Sequence, residues 1–166
     1  MRRLLLVLLV CGCERSVAPP PCPGDLQARL ALRGTLTEGR ECADRAGVDA
    51  AAALVVPAAV SYTSADGAVL CPERALAPPL QGTRAGDQLD LAGAARPATL
   101  TGCGCALQVS ERITGTLRRD AGGDAIGFSG ELVDVIAPAD GSGTCAPAPG
   151  ESCPATCTLR FSLDAP

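Results

Sequence analysis

Apolar residues recur at every second position along much of this chain. Leu30, Leu32 and Leu36 alternate with Arg33, Thr35 and Thr37. That period is the mark of a strand with one buried face. Asp25 would also suit the cap of a helix running to Leu32, but the Thr alternation favours a strand over 30–37. Val60 and Tyr62 lead into a turn at Asp66-Gly67, after which Val69 and Leu70 return. Leu89 and Leu91 alternate with Gln88 and Asp90. Near the end, Cys157, Leu159, Phe161 and Leu163 share one face, with Thr158, Arg160 and Ser162 on the other.

The clearest unit is a hairpin centred on Gly122-Gly123. A two-residue loop there suits a turn with positive φ at both positions. Counting outward, Leu117 opposes Phe128, Gly115 opposes Gly130, Ile113 opposes Leu132, and Val109 opposes Ile136. Apolar residues meet throughout, which supports the register. Thr114 then faces Glu131 on the other side, near Arg112. The same register places Glu111 opposite Asp134, on the face that carries Ile113 and Leu132.

Elsewhere the pattern is weaker. Glu41 to Ala53 reads as a short helix, with Gly47 against it. Ala50 to Val60 is apolar, but it contains Pro57 and is too short to cross a membrane as a helix. Residues 137–156 read as a long loop rich in Pro, Gly and Ser, pinned by cysteines. The expected fold is mainly β: a small antiparallel β-sandwich or barrel over residues 25–166, with at most one or two short helices.

Composition narrows the chemistry. The chain has 166 residues and a formal charge of −4. It has neither Lys nor His, so every basic side chain is Arg. An acidic chain of this kind does not suit nucleic acid, where affinity comes from neutralising phosphates. Without His, Ser-His-Asp and Cys-His catalysis are ruled out; without Lys, so are Schiff-base and Ser-Lys mechanisms. Trp is absent, with one Tyr and two Phe, which disfavours sugar binding on exposed aromatics. Gly141-Ser142-Gly143-Thr144-Cys145-Ala146 matches a loose dinucleotide-binding pattern. It lies in a Pro-rich loop and not between a strand and a helix, so it carries no such expectation. No cofactor and no metal site are expected.

The amino terminus carries an address. Met1-Arg2-Arg3 is basic, and Leu4 to Val10 is an unbroken run of Leu and Val. That run fits the apolar part of a signal peptide and falls far short of a spanning helix. Val10-Cys11-Gly12-Cys13 follows. This resembles the bacterial lipobox: an aliphatic residue, a variable one, a small one, then the cysteine that receives lipid. Cys11 is an uncommon occupant of the variable position. The resemblance covers residues 1–13 alone. It implies a signal peptide over 1–12, cleavage after Gly12, a diacylglyceryl thioether on Cys13 and a further acyl chain on the new amino terminus. More than one acyl chain gives a stable anchor. Residues 13–24, with Pro19-Pro20-Pro21 and Pro23-Gly24, then read as a lipidated, stiff tether.

Cysteine parity agrees. Of ten Cys, Cys11 leaves with the signal peptide and Cys13 takes lipid. Cys22, Cys42, Cys71, Cys103, Cys105, Cys145, Cys153 and Cys157 remain, an even set that reads as disulfides in an exported chain. The pairing stays open. Cys103 and Cys105 are too close for an easy mutual bridge, so each should find its own distant partner, with Cys145, Cys153 and Cys157 as candidates. A zinc centre of Cys103, Cys105, Cys153 and Cys157 is the alternative, with poor ligand spacing.

One feature of the hairpin bears on function. Like charges opposed across strands destabilise a sheet when both are ionised. Glu111 and Asp134 therefore form either a solvated rim or a pair that shares a proton, binds a cation or does acid/base hydrolysis. The leading expectation is a non-enzymatic, lipid-anchored protein of the bacterial cell envelope, with the outer membrane favoured over the inner. Its β domain would bind an envelope protein partner or serve a structural role. The alternatives are a hydrolase or cation-binding protein using Glu111 and Asp134, and a carrier of a small apolar ligand inside a barrel.

Overall fold

A computed structural model describes residues 22–73, 77–141, 153–154 and 156–166. The amino-terminal segment with Cys13, the Gly-rich motif from Ser142 onward, Cys145, and most of the expected loop lie outside the described residues. Nine strands and one helix follow in order: β1 (Asp25–Glu38), α1 (Arg40–Ala46), β2 (Leu54–Tyr62), β3 (Gly67–Pro72), β4 (Leu80–Ala85), β5 (Gln88–Ala92), β6 (Arg96–Ala98), β7 (Leu107–Arg119), β8 (Ala125–Pro138) and β9 (Cys157–Ala165).

All strand pairs are antiparallel, in the order β5-β4-β3-β2-β1-β9-β8-β7-β6. The free edge of β5 pairs in turn with β7, Leu91 opposite Ile113 and Leu89 opposite Gly115. The sheet therefore closes on itself. Eight strands form an up-and-down barrel, and β6 extends the same edge of β7 beyond β5. Closure decides between the two expected architectures in favour of the barrel, and it removes the exposed edges that invite aggregation.

Alternation explains the walls. On β1, Ala28, Leu30 and Leu32 are buried while Arg29, Ala31 and Arg33 are exposed. On β9, Cys157, Leu159, Phe161 and Leu163 point inward as their period of two requires. Strand β1 runs from Asp25, so the alternative of a helix capped by Asp25 does not occur. Ala-rich β2 is a strand for the same reason: Val56, Ala58 and Val60 are buried, facing Leu32, Leu30 and Ala28.

The β7–β8 register agrees at every predicted pair, including Glu111 opposite Asp134. The turn differs. Three residues, Ala121 to Gly123, join Asp120 to Asp124, and of the two glycines only Gly123 has positive φ (91°). The Asp120 carboxylate accepts hydrogen bonds from the backbone N–H groups of Gly122 (2.9 Å) and Asp124 (3.0 Å). That side chain stabilises a three-residue loop, and a bulge at Arg118/Arg119 restores the register beyond it. On the outer face Thr114 does oppose Glu131, but Arg112 pairs with Asp90 and Glu131 with Arg160.

The helix is also shorter than expected. It ends at Ala46 because Gly47 adopts φ 70° and closes the last turn: its N–H bonds Asp44 O, and the Val48 N–H bonds Ala43 O. Strands β4 and β6 were not foreseen. Gln81 to Ala85 shows no apolar alternation, and β6 is three residues containing Pro97.

The two ends of the barrel differ. At one end are the short turns 63–66, 86–87 and 120–124. There Phe128 is wholly buried, its ring over the facing Gly115–Gly130 pair. Tyr62 closes this end. Its hydroxyl donates to Asp87 (3.1 Å) and accepts from Arg119 (3.1 Å), Arg119 also binds Asp87 (2.7 Å), and the Arg84 guanidinium lies 3.8 Å from the ring centre. Arg119 holds the Asp87 carboxyl below the usual range. At the opposite end are the longer connections, of which residues 39–53, 73, 77–79, 93–106, 139–141, 153–154 and 156 are described.

Disulfides reinforce this frame. Cys42–Cys157 holds α1 against β9, Cys103–Cys153 ties the segment before β7 to the one before β9, and Cys22–Cys71 fastens the segment before β1 to β3. They enclose 49 to 115 residues, so each stabilises by about 4 kcal/mol in the chain-entropy picture. Cys105 is disulfide-bonded as well, and not to Cys103. The sulfurs of the zinc alternative are thus oxidised.

Gly115→Ala tests the packing of the short-turn end. A Cβ there would lie 2.3 Å from Phe128 Cζ and 2.5 Å from Ser129 O. The substitution is expected to destabilise the barrel by about 1–3 kcal/mol in equilibrium urea denaturation. An unchanged midpoint would contradict this packing.

Candidate functional site

The end with the long connections is not filled by side chains. A cavity of about 380 Å³ lies inside the barrel there, within the range of about 300–1,000 Å³ usual for small-molecule sites. An eight-stranded barrel is just wide enough for its side chains or for one small ligand. Here the long side chains Phe128 and Leu117 fill the far end, and the near end stays hollow. Its wall is mostly apolar: Leu70, Leu80, Ile113, Leu132, Phe161 and Leu163. Val48, Ala77 and Pro78, from two of the long connections, add to the lining.

Three charged side chains interrupt that wall: Arg96, Glu111 and Asp134. Their placement follows from register. On β7, Val109, Glu111 and Ile113 share the inward face. On β8, Leu132, Asp134 and Ile136 do the same, so Glu111 and Asp134 meet inside the barrel. They do not form a solvated rim. Arg96 stands on β6 opposite Val109, one inward position from Glu111. Its Nη2 donates to Glu111 Oε1 at 2.7 Å, and its Nε lies 3.5 Å from Oε2. The Glu111 side chain is 19% exposed and that of Arg96 46%, so the pair is shielded on the carboxylate side and open to solvent on the arginine side.

Asp134 has no such partner. Its Oδ1 is buried with no hydrogen bond among the described residues. Burial, and secondarily the Glu111 charge, push the Asp134 carboxyl up to about 7, against a smaller pull from Arg96. The two carboxyls thus differ: Glu111 is held by an arginine, and Asp134 keeps its proton to near neutral pH.

The sequence register located the carboxylate pair but missed Arg96. Nothing local marks Arg96, because β6 is too short and its Pro97 argues against a strand. The cavity itself was equally hidden, since it depends on which end of the barrel the large residues occupy. No group of three or more His, Cys, Asp or Glu able to hold a metal occurs among the described residues, nor does a helix long and apolar enough to cross a membrane.

The raised Asp134 sets a pH dependence. The folded group titrates near 7, the unfolded one near 3.8, so the unfolded chain loses its proton first. The stability present in acid therefore falls as pH rises from about 4 to about 7, by on the order of 4 kcal/mol. Asp134→Asn is expected to change stability little near pH 3 and to stabilise the fold increasingly toward pH 8. Urea midpoints across that range measure it, and a pH-independent difference would contradict a buried, unpaired carboxyl.

No protein-family model matches the chain, and neither a curated protein nor a solved structure matches it.

Proposed function

We infer that this protein is a non-enzymatic binding module of the bacterial cell envelope, tethered through lipid on Cys13, whose barrel carries one small and largely apolar ligand. The observation that carries the reading is the hollow, apolar end of the barrel with a single polar cluster in its wall. Sites of that build hold a ligand by its hydrophobic body and orient it by a few polar groups. The rigid sheet positions the cluster, and Val48, Ala77 and Pro78 of two long connections line the mouth, where binding function concentrates. The tether rests on the lipobox resemblance of residues 1–13, and the disulfides suit an oxidising compartment.

A second reading uses the same acids. Acid/base hydrolysis needs one protonated and one ionised carboxyl, and the unequal environments of Asp134 and Glu111 supply such a pair. The Arg96 pairing and the apolar wall speak for binding over hydrolysis, because they leave little to hold a polar substrate.

The carrier reading predicts that N-phenylnaphthylamine, a neutral apolar fluorophore, brightens in the folded protein with one site per chain. Val48→Trp, which places a large ring at the mouth, should weaken it by at least about tenfold. No binding, or binding indifferent to that variant, would remove the carrier reading. For the tether, Cys13→Ser should abolish incorporation of an alkyne-labelled fatty acid in a bacterial host that processes lipoproteins. Persistent labelling would place the anchor elsewhere.

A further inference from the structure

The polar cluster is unbalanced, and the imbalance specifies what the ligand brings. Arg96 is engaged by Glu111 through both Nη2 and Nε. Asp134 Oδ1 is buried and lacks a donor among the described residues. When Asp134 ionises, the cluster carries two negative charges against one positive. The charged groups facing Asp134 are Glu111 from β7 and Arg96 from β6, and on its other side β9 presents Leu159. Among the described residues of the cavity wall no other side chain carries a positive charge.

A carboxylate ligand would meet two acids and an arginine already paired. An alcohol would satisfy one acceptor and leave the charge unmatched. A protonated amine answers both needs, since its N–H donates to Asp134 Oδ1 and its charge balances the site. Charge-assisted bonds of this kind are among the strong ones when water is excluded. On the carrier reading, we propose that the cavity takes an amphiphilic amine, its ammonium on Asp134 beside Glu111 and its hydrocarbon body along Leu70, Leu80, Ile113, Leu132 and Phe161.

Proton balance follows. Below neutral pH Asp134 holds a proton, because burial raises it to about 7. Taking up an ammonium then expels that proton to solvent. Above neutral pH the carboxylate is already ionised, and no proton is released. Amine affinity therefore rises with pH through this range, while a neutral ligand of the same length shows no such rise.

Decylamine, decanol and decanoic acid form a matched set of probes for calorimetric titration of the folded protein. Decylamine should bind at least about tenfold tighter than decanol at pH 8, as expected for a hydrogen bond to a charged group. That preference should shrink toward pH 6 and collapse in Asp134→Asn. Glu111→Gln supplies an independent arm. It releases Arg96, so it should weaken decylamine and strengthen decanoic acid. If decanol matches decylamine, or decanoic acid binds best to the unaltered protein, the amine assignment is overturned and the carrier reading stands. If none of the three binds and N-phenylnaphthylamine also fails, the carrier reading itself falls.

Discussion

The pairing of β5 with β7 is the contact on which the rest of the molecule depends. Without it the strands form an open, strongly twisted sheet with two bare edges, and half their apolar side chains face nothing. With it, each of the eight barrel strands has two neighbours and an inside. Closure makes period-two alternation into a core: alternate residues of the barrel strands, from Ala28 on β1 to Ala165 on β9, point at the same enclosed space. The cost lies in chain entropy, because the ring is sealed by contacts between distant residues. β1 near the start of the described chain pairs with β9 at its end. Disulfides spanning 49 to 115 residues reduce that entropy in the unfolded chain.

Closure also divides the interior. An up-and-down barrel alternates its connections between two ends, and here the short turns all fall at one. Phe128 fits over paired glycines there, and Tyr62, Asp87 and Arg119 bind across the hairpin ends. The other end collects α1, the long connections and the Cys42–Cys157 and Cys103–Cys153 bridges. With its large side chains committed to the first end, the barrel leaves space at the second. Rigidity and vacancy are thus two results of one distribution of residue size.

Asp134 sits badly in that space by the standards of stability alone. A leucine at its position would continue the wall between Leu132 and Ile136 without desolvating a carboxyl. Glu111 is better placed because Arg96 reaches it across the β6–β7 pairing. Such local conflict inside an otherwise consistent core is where function is usually found. The site combines a rigid backbone register, one compensated acid and one uncompensated acid, all against an apolar wall.

Strand periodicity, the β7–β8 register and the presence of disulfides were legible in the residues, because each depends on local pattern or simple parity. The Glu111–Asp134 apposition followed from the same count, since a hairpin register carries along every pair it contains. The Asp120 loop was missed by one residue and the end of α1 at Gly47 by about two turns, as side-chain and αL caps override periodicity there. Strands β4 and β6, Arg96 and the cavity were not legible at all. β4 and β6 are held by neighbours rather than by their own propensity, and Arg96 meets Glu111 only once β6 has paired with β7. The sequence alone determined which residues turn inward. The tertiary structure decided that inward is a closed space with one filled end, because closure and the distribution of volume arise from contacts between residues far apart in the chain.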